Sequence, residues 1–147
     1  MAQDRDVEVD VERLTLLLAD RMGAIVPAGF SISAADGMLW YSAEAGKFPG
    51  QSGTYHAKGS GTYVRVNFGA HGDTVEDHLV GVAAQALDEL QDLIDEATHD
   101  PWPGDRTPPR AYARVRGSAL HLWYGGPDID SDVVLVCEPI PLARLQR

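Results

Sequence analysis

Apolar residues return every three or four positions over residues 7–24, at Val7, Val11, Leu14, Leu18 and Met22. That spacing marks one face of a helix, and Gly23 and Pro27 close it. The period then falls to two. Residues 28–33 and 37–43 read as strands joined across Ala34-Ala35-Asp36-Gly37, where Asp-Gly suits the left-handed conformations of a tight hairpin. Residues 62–68 alternate: Thr62, Val64, Val66 and Phe68 share one face, and Tyr63, Arg65 and Asn67 the other. A longer helical stripe follows in Val75, Leu79, Val82, Ala83, Ala86, Leu90, Leu93, Ile94 and Ala97, and predicts a helix over residues 74–98. Asp73 and Glu76 fit a capping box at its start, and Pro101 and Pro103 end it. Residues 111–116 and 119–124 then form a hairpin across Gly117-Ser118, and residues 132–138 a buried strand.

The order is α-β-β-β-α-β-β-β. Hairpins dominate, so the sheet is mainly antiparallel, with about five to six strands. Each helix has one apolar stripe, and both stripes cover one face of the sheet. The expected fold is a two-layer α+β sandwich. At 147 residues the chain reads as a single domain over residues 1–147. Three irregular segments interrupt it: a flexible Gly/Ser-rich loop at 46–61, a Pro-rich loop at 99–110, and an extended tail at 139–147 in which Pro139 and Pro141 disfavour helix.

Charge adds a strong asymmetry. The net charge is −10, and the ten acidic residues between Arg65 and Arg106 meet no Lys or Arg. Outside that stretch acids and bases balance. The single cysteine, Cys137, lies in an apolar run and reads as a small buried hydrophobe. One cysteine permits no internal disulfide, which suits a reducing cytosol. The N-terminus lacks a secretory pattern, and no apolar run approaches the ~20 residues that span a bilayer. The expectation is a cytoplasmic protein with no membrane partner.

Two stretches carry a resemblance: QALDELQDLIDEATHDPWPG at residues 85–104, and LHLWYG at 120–125 followed by VCEPIPL at 136–142. Over roughly residues 12–143 the chain resembles a family of small acidic actinobacterial proteins. That resemblance implies a bacterial source and supplies no catalytic residue, substrate or cofactor. The element order is also similar to that of small bacterial secretion chaperones (helix, three strands, helix, two strands), a likeness of topology without shared motifs.

Three groups of residues bear on function. His71, Asp73, Glu76, Asp77 and His78 are types that bind divalent metals, and a metal-dependent enzyme using His71, Asp73 and His78 is the alternative reading. The spacing favours a helix cap instead: Asp77 and His78 diverge on a helix, and HExxH is absent. The second group is the acidic helix face of Asp77, Asp88, Glu89, Asp92, Asp95 and Glu96. Unrelieved like charges at i,i+4 are unfavourable, which makes this face a docking surface for a basic partner or an imitation of nucleic acid. Its sign opposes binding nucleic acid directly. The third group is the uncovered sheet face, expected to present Tyr63, Arg65, Tyr112, Arg114, Arg116, His121 and Trp123. Arginine over aromatic rings is an interface composition. The leading reading is therefore a non-enzymatic binding module (adaptor, chaperone-like or inhibitor) without a cofactor. Its partner is another protein or a second copy.

Overall fold

The computed structural model describes residues 9–43, 61–65, 74–98, 100–104 and 109–146, with only the backbone course at 61–65. The first helix, α1 (Val11–Gly23), begins where Asp10 accepts the Arg13 amide at 3.2 Å. This cap sets the start inside the expected 7–24. Leu14, Leu17, Leu18 and Met22 form its buried stripe. Strands β1 (Phe30–Ala35) and β2 (Met38–Ala43) pair antiparallel, Phe30 opposite Ala43. Asp36 and Gly37 turn between them at φ 54° and 74°, the two left-handed residues of the expected hairpin. β3 (Gly61–Arg65) adds to β2 with Trp40 opposite Tyr63. The rest of the expected strand at 62–68 lies outside the described residues, as does most of the 46–61 loop.

Helix α2 (Val75–Thr98) is capped one residue later than the sequence indicates. Thr74 Oγ1 accepts the Asp77 amide at 3.0 Å and the Thr74 carbonyl accepts the His78 amide. The hydroxyl of Thr74 thus reaches the third helical amide, the usual N-cap geometry. β4 (Arg110–Arg116) and β5 (Ala119–Gly125) form the expected hairpin, and β6 (Val133–Val136) pairs with β5. A short extra strand, β7 (Ile140–Pro141), also pairs with β5.

The fold is α+β, with every pairing between named strands antiparallel and the elements in the expected order. Hydrogen bonds group the strands into two sheets, β1-β2-β3 and β4-β5-β6 with β7 beside β5. One apolar cluster unites them, with contributions from both helices and both sheets.

Two expectations are corrected. The tail is not simply extended: Leu142–Leu145 form a short 3-10 helix, and Ile140 and Leu145 are buried. Proline restricts its own residue and the one before it, so the restriction lapses after Pro141. The strand at 132–138 is not buried either. Val133, Val134 and Val136 are 36 %, 55 % and 48 % exposed, because β6 is the outermost strand of its sheet.

Two tyrosines tie the sheets to α2. Tyr41 of β2 donates its hydroxyl to the Ala86 carbonyl at 2.8 Å, and Tyr124 of β5 donates to the adjacent Leu87 carbonyl at 2.7 Å. Both rings are buried. Desolvation raises both phenols well above their ordinary range, so they are protonated donors at neutral pH. The carbonyls they reach already belong to the helix's own ladder. Gln91, a buried amide on the same helix, donates Nε2 to the carbonyls of Trp102 and Pro109 and so fixes both ends of the Pro-rich loop. Trp102 lies edge-on to Tyr124 at 5.0 Å as a lid on the core. Removal of either phenol hydroxyl, Tyr41→Phe or Tyr124→Phe, is expected to lower unfolding stability by about 0.5–1.5 kcal/mol in urea denaturation.

Candidate functional site

Strand alternation divides β5 in two. Leu120, Leu122 and Tyr124 face the core and are fully buried, so His121 and Trp123 project from the opposite face. The register places Tyr112 opposite Trp123 and Arg114 opposite His121, and it places Val136 of β6 opposite Trp123 on its other side. The Tyr112 and Trp123 rings stack at 5.6 Å with 18° between their planes. Five of the seven residues expected on an aromatic-basic face are thus gathered on β4 and β5: Tyr112, Arg114, Arg116, His121 and Trp123. Tyr63 and Arg65 belong to β3, in the other sheet.

Trp123 differs from the expectation in one respect. It projects on the outer side yet is only 1 % exposed. Tyr112 covers it, and its indole Nε1 donates to the Gly126 carbonyl at 2.8 Å. It is a floor beneath the surface, not an anchor above it. The turn after β5 is held by its own polar groups: Asp128 accepts the Asp130 amide and the Ser131 hydroxyl, each at 2.9 Å. Asp130 receives both Arg116 terminal nitrogens, at 3.0 and 3.1 Å. The hydrogen bonds and charge of Arg116, with Arg114 and His121 nearby, hold the Asp130 carboxyl below the usual carboxylate range. Arg116 is therefore engaged within the chain. Arg114 is exposed, and His121 is half-buried with Nε2 3.3 Å from the Arg116 carbonyl.

Glycines make this turn possible. The ladder between β5 and β6 shifts register at Tyr124/Gly125. A Cβ on Gly125 would lie 1.9 Å from the Asp132 carbonyl oxygen, and one on Gly126 2.8 Å from Asp132 Cβ. The exposed valines of β6 were not among the residues that sequence reasoning placed on this face. Their signal was available in Gly125-Gly126, which marks a bulge and a strand leaving the sheet interior.

The remaining candidates are dispersed. His78 sits half-buried in the first turns of α2, while His71 and Asp73 lie outside the described residues. Among the described residues no group of three His, Cys, Asp or Glu side chains is placed to hold a metal ion. The alternating Asp128, Asp130 and Asp132 form no such group. Burial pushes the Cys137 thiol up to about 12, against the opposing charge of Arg21, so it stays protonated at neutral pH and is a poor nucleophile. On α2, Asp88, Asp92 and Glu96 are exposed and Glu89 and Asp95 half-buried. Burial, then the Asp92 charge, raises Asp88, with Arg110 opposing. Burial also raises Asp95, with Asp92 contributing, while its hydrogen bond from the Trp102 amide at 2.7 Å lowers it.

Among the described residues no helix is long and apolar enough to cross a membrane. No family model matches the chain, and no curated protein or solved structure matches it.

Gly125→Ala is expected to destabilise the protein by about 1–3 kcal/mol in urea, the range for a methyl forced into filled space. Asp92→Asn removes a like charge from two acids with raised titrations. It should stabilise by about 0.2–0.5 kcal/mol per relieved pair at neutral pH. Because these acids disfavour the fold when ionised, the gain should be full above their titration and shrink as pH falls through it. Denaturation midpoints measured from pH 7 down to pH 4 check the sign.

Proposed function

We propose that this chain is a non-enzymatic protein-binding module of the bacterial cytoplasm that docks its partner on the outer face of β4-β5-β6. One observation carries the reading. Val136 is exposed opposite Trp123 of a stacked Tyr112–Trp123 floor, Val134 is exposed on the same strand, and Arg114 is exposed at the margin. The stack supplies a rigid apolar base, the valines supply area, and Arg114 and His121 supply a polar rim, the anatomy of a protein interface. The acidic face of α2 lies on a different element and gives a basic partner a second point of contact.

The test is capture from source-cell cytosol with wild type and with an Arg114→Glu, Val136→Lys variant confirmed folded by circular dichroism. A captured protein would be purified and its Kd measured against both. The expected result is a loss of affinity of at least about tenfold in the variant, as for hot-spot residues. Equal affinity for both, or no captured protein, overturns the reading.

A further inference from the structure

The turn after β5 folds back over the outer face of its own hairpin. It leaves at Gly125, opposite Arg110, yet its Asp130 binds Arg116, which the register sets at the other end, opposite Ala119. About 20 Å of strand separates those ends. Arg116 shares the outer side of β4 with Arg114 and Tyr112, because Ala111, Ala113 and Val115 pack on the core. His121 of β5 pairs with Arg114 across the strands, and its Nε2 lies 3.3 Å from the Arg116 carbonyl. Two guanidinium groups and an imidazole, from two strands, therefore surround the place where one loop carboxylate arrives.

Asp130 satisfies this cluster only in part. Its two oxygens are given to Arg116, while Arg114 is exposed and, among the described residues, forms no salt bridge. Asp128 also acts on Arg116, but its oxygens already accept the Asp130 amide and the Ser131 hydroxyl. The Arg116–Asp130 contact is easily exchanged, since both side chains are exposed and exposed ion pairs contribute little. We infer that Arg114 and Arg116, with His121 beside them, form a carboxylate-binding site for an acidic segment of a partner protein, and that Asp130 is its built-in competitor, displaced when the partner docks. The occupant is read from what sits there now, a carboxylate on the two-pronged end of an arginine. In an extended segment alternate side chains lie about 7 Å apart on one side, the spacing that Tyr112, Arg114 and Arg116 have along β4. An apolar residue followed by two acids at alternate positions thus matches the stacked rings and the two arginines. The net charge of −10 does not oppose this locally, because α2 packs on the core side of β5 and carries its acids behind the sheet. The inference rests on the reading above that this face binds protein, and it names the chemistry of the partner.

The experiment titrates two fluorescent peptides into the full chain, Leu-Ser-Glu-Ser-Glu and the same peptide with both Glu replaced by Gln. Two variants are compared with wild type. Asp130→Asn removes the competing charge and keeps the backbone of the turn, and Arg114→Ala removes one arm of the site. Both positions are exposed, and melting curves check both folds. The acidic peptide should bind wild type at least about tenfold more tightly than the glutamine peptide, and Arg114→Ala should weaken it by about tenfold. Asp130→Asn should bind it about threefold or more tightly than wild type, because a site filled by its own side chain is open for only a fraction of the time. The NMR signals of the Arg114 and Arg116 guanidinium groups of wild type should shift on binding, a readout that needs no variant. Equal binding of the glutamine peptide, unchanged affinity in Arg114→Ala or in Asp130→Asn, unshifted guanidinium signals, or no binding overturns the inference. A captured partner lost by the Arg114→Glu, Val136→Lys variant but held with equal Kd by wild type and Asp130→Asn overturns the displacement of Asp130 and leaves the proposed function standing.

Discussion

The phenol hydroxyls of Tyr41 and Tyr124 meet neighbouring carbonyls on one helix, and the arrangement of both sheets follows from that meeting. Tyr41 comes from β2 and Tyr124 from β5, strands of different sheets with no hydrogen-bonded pairing between them. Helix α2 is the element they share. Its stripe from Leu79 to Ala97 packs against both, and the two hydroxyls fix its rotation about its axis. A rotation of one residue, about 100°, would break both hydrogen bonds and bring Asp88 or Asp92 toward the core.

Fixing α2 also fixes what faces away from it. With Leu120, Leu122 and Tyr124 committed to the helix side of β5, His121 and Trp123 have only the outer side. A tryptophan left there would expose a large ring. The stack with Tyr112 and the turn through Gly126 bury it instead. The candidate surface is thus the reverse side of the core. Its aromatic floor is rigid because the strand beneath it is immobilised from within.

Much of this was legible in residue spacing. Both helices, the Asp36-Gly37 turn and the outward set Tyr112, Arg114, His121 and Trp123 follow from periods of 3.6 and 2 and one turn dipeptide. Three things were not. Periodicity says which side a residue takes and nothing of what folds over that side, so Trp123 read as exposed. A run such as Val133 to Val136 reads as interior because its composition is the same in a central strand and in the outermost strand of a sheet. Tyr63 and Arg65 were grouped with residues of β4 and β5 although their strand belongs to the other sheet, because alternation carries no information on which strands pair. The choice between Asp73 and Thr74 as the cap turned on one residue, the usual uncertainty of a helix boundary.

The last described segment has a consequence for how the chain is made. β7 pairs with the start of β5, Leu142 donates its amide to the Ser118 carbonyl, and the Leu145 carbonyl receives the Asp10 amide beside a bridge from Val9 to Gln146. Ile140 and Leu145 complete the apolar cluster that Leu14 and Leu18 begin. During translation the first helix therefore waits on the ribosome, on the order of ten seconds at ordinary elongation rates, before the residues that seal it arrive. Over that interval its apolar stripe is open to whatever else is nascent nearby, and the first helix is sealed only once residues 140–145 have emerged to pack on it.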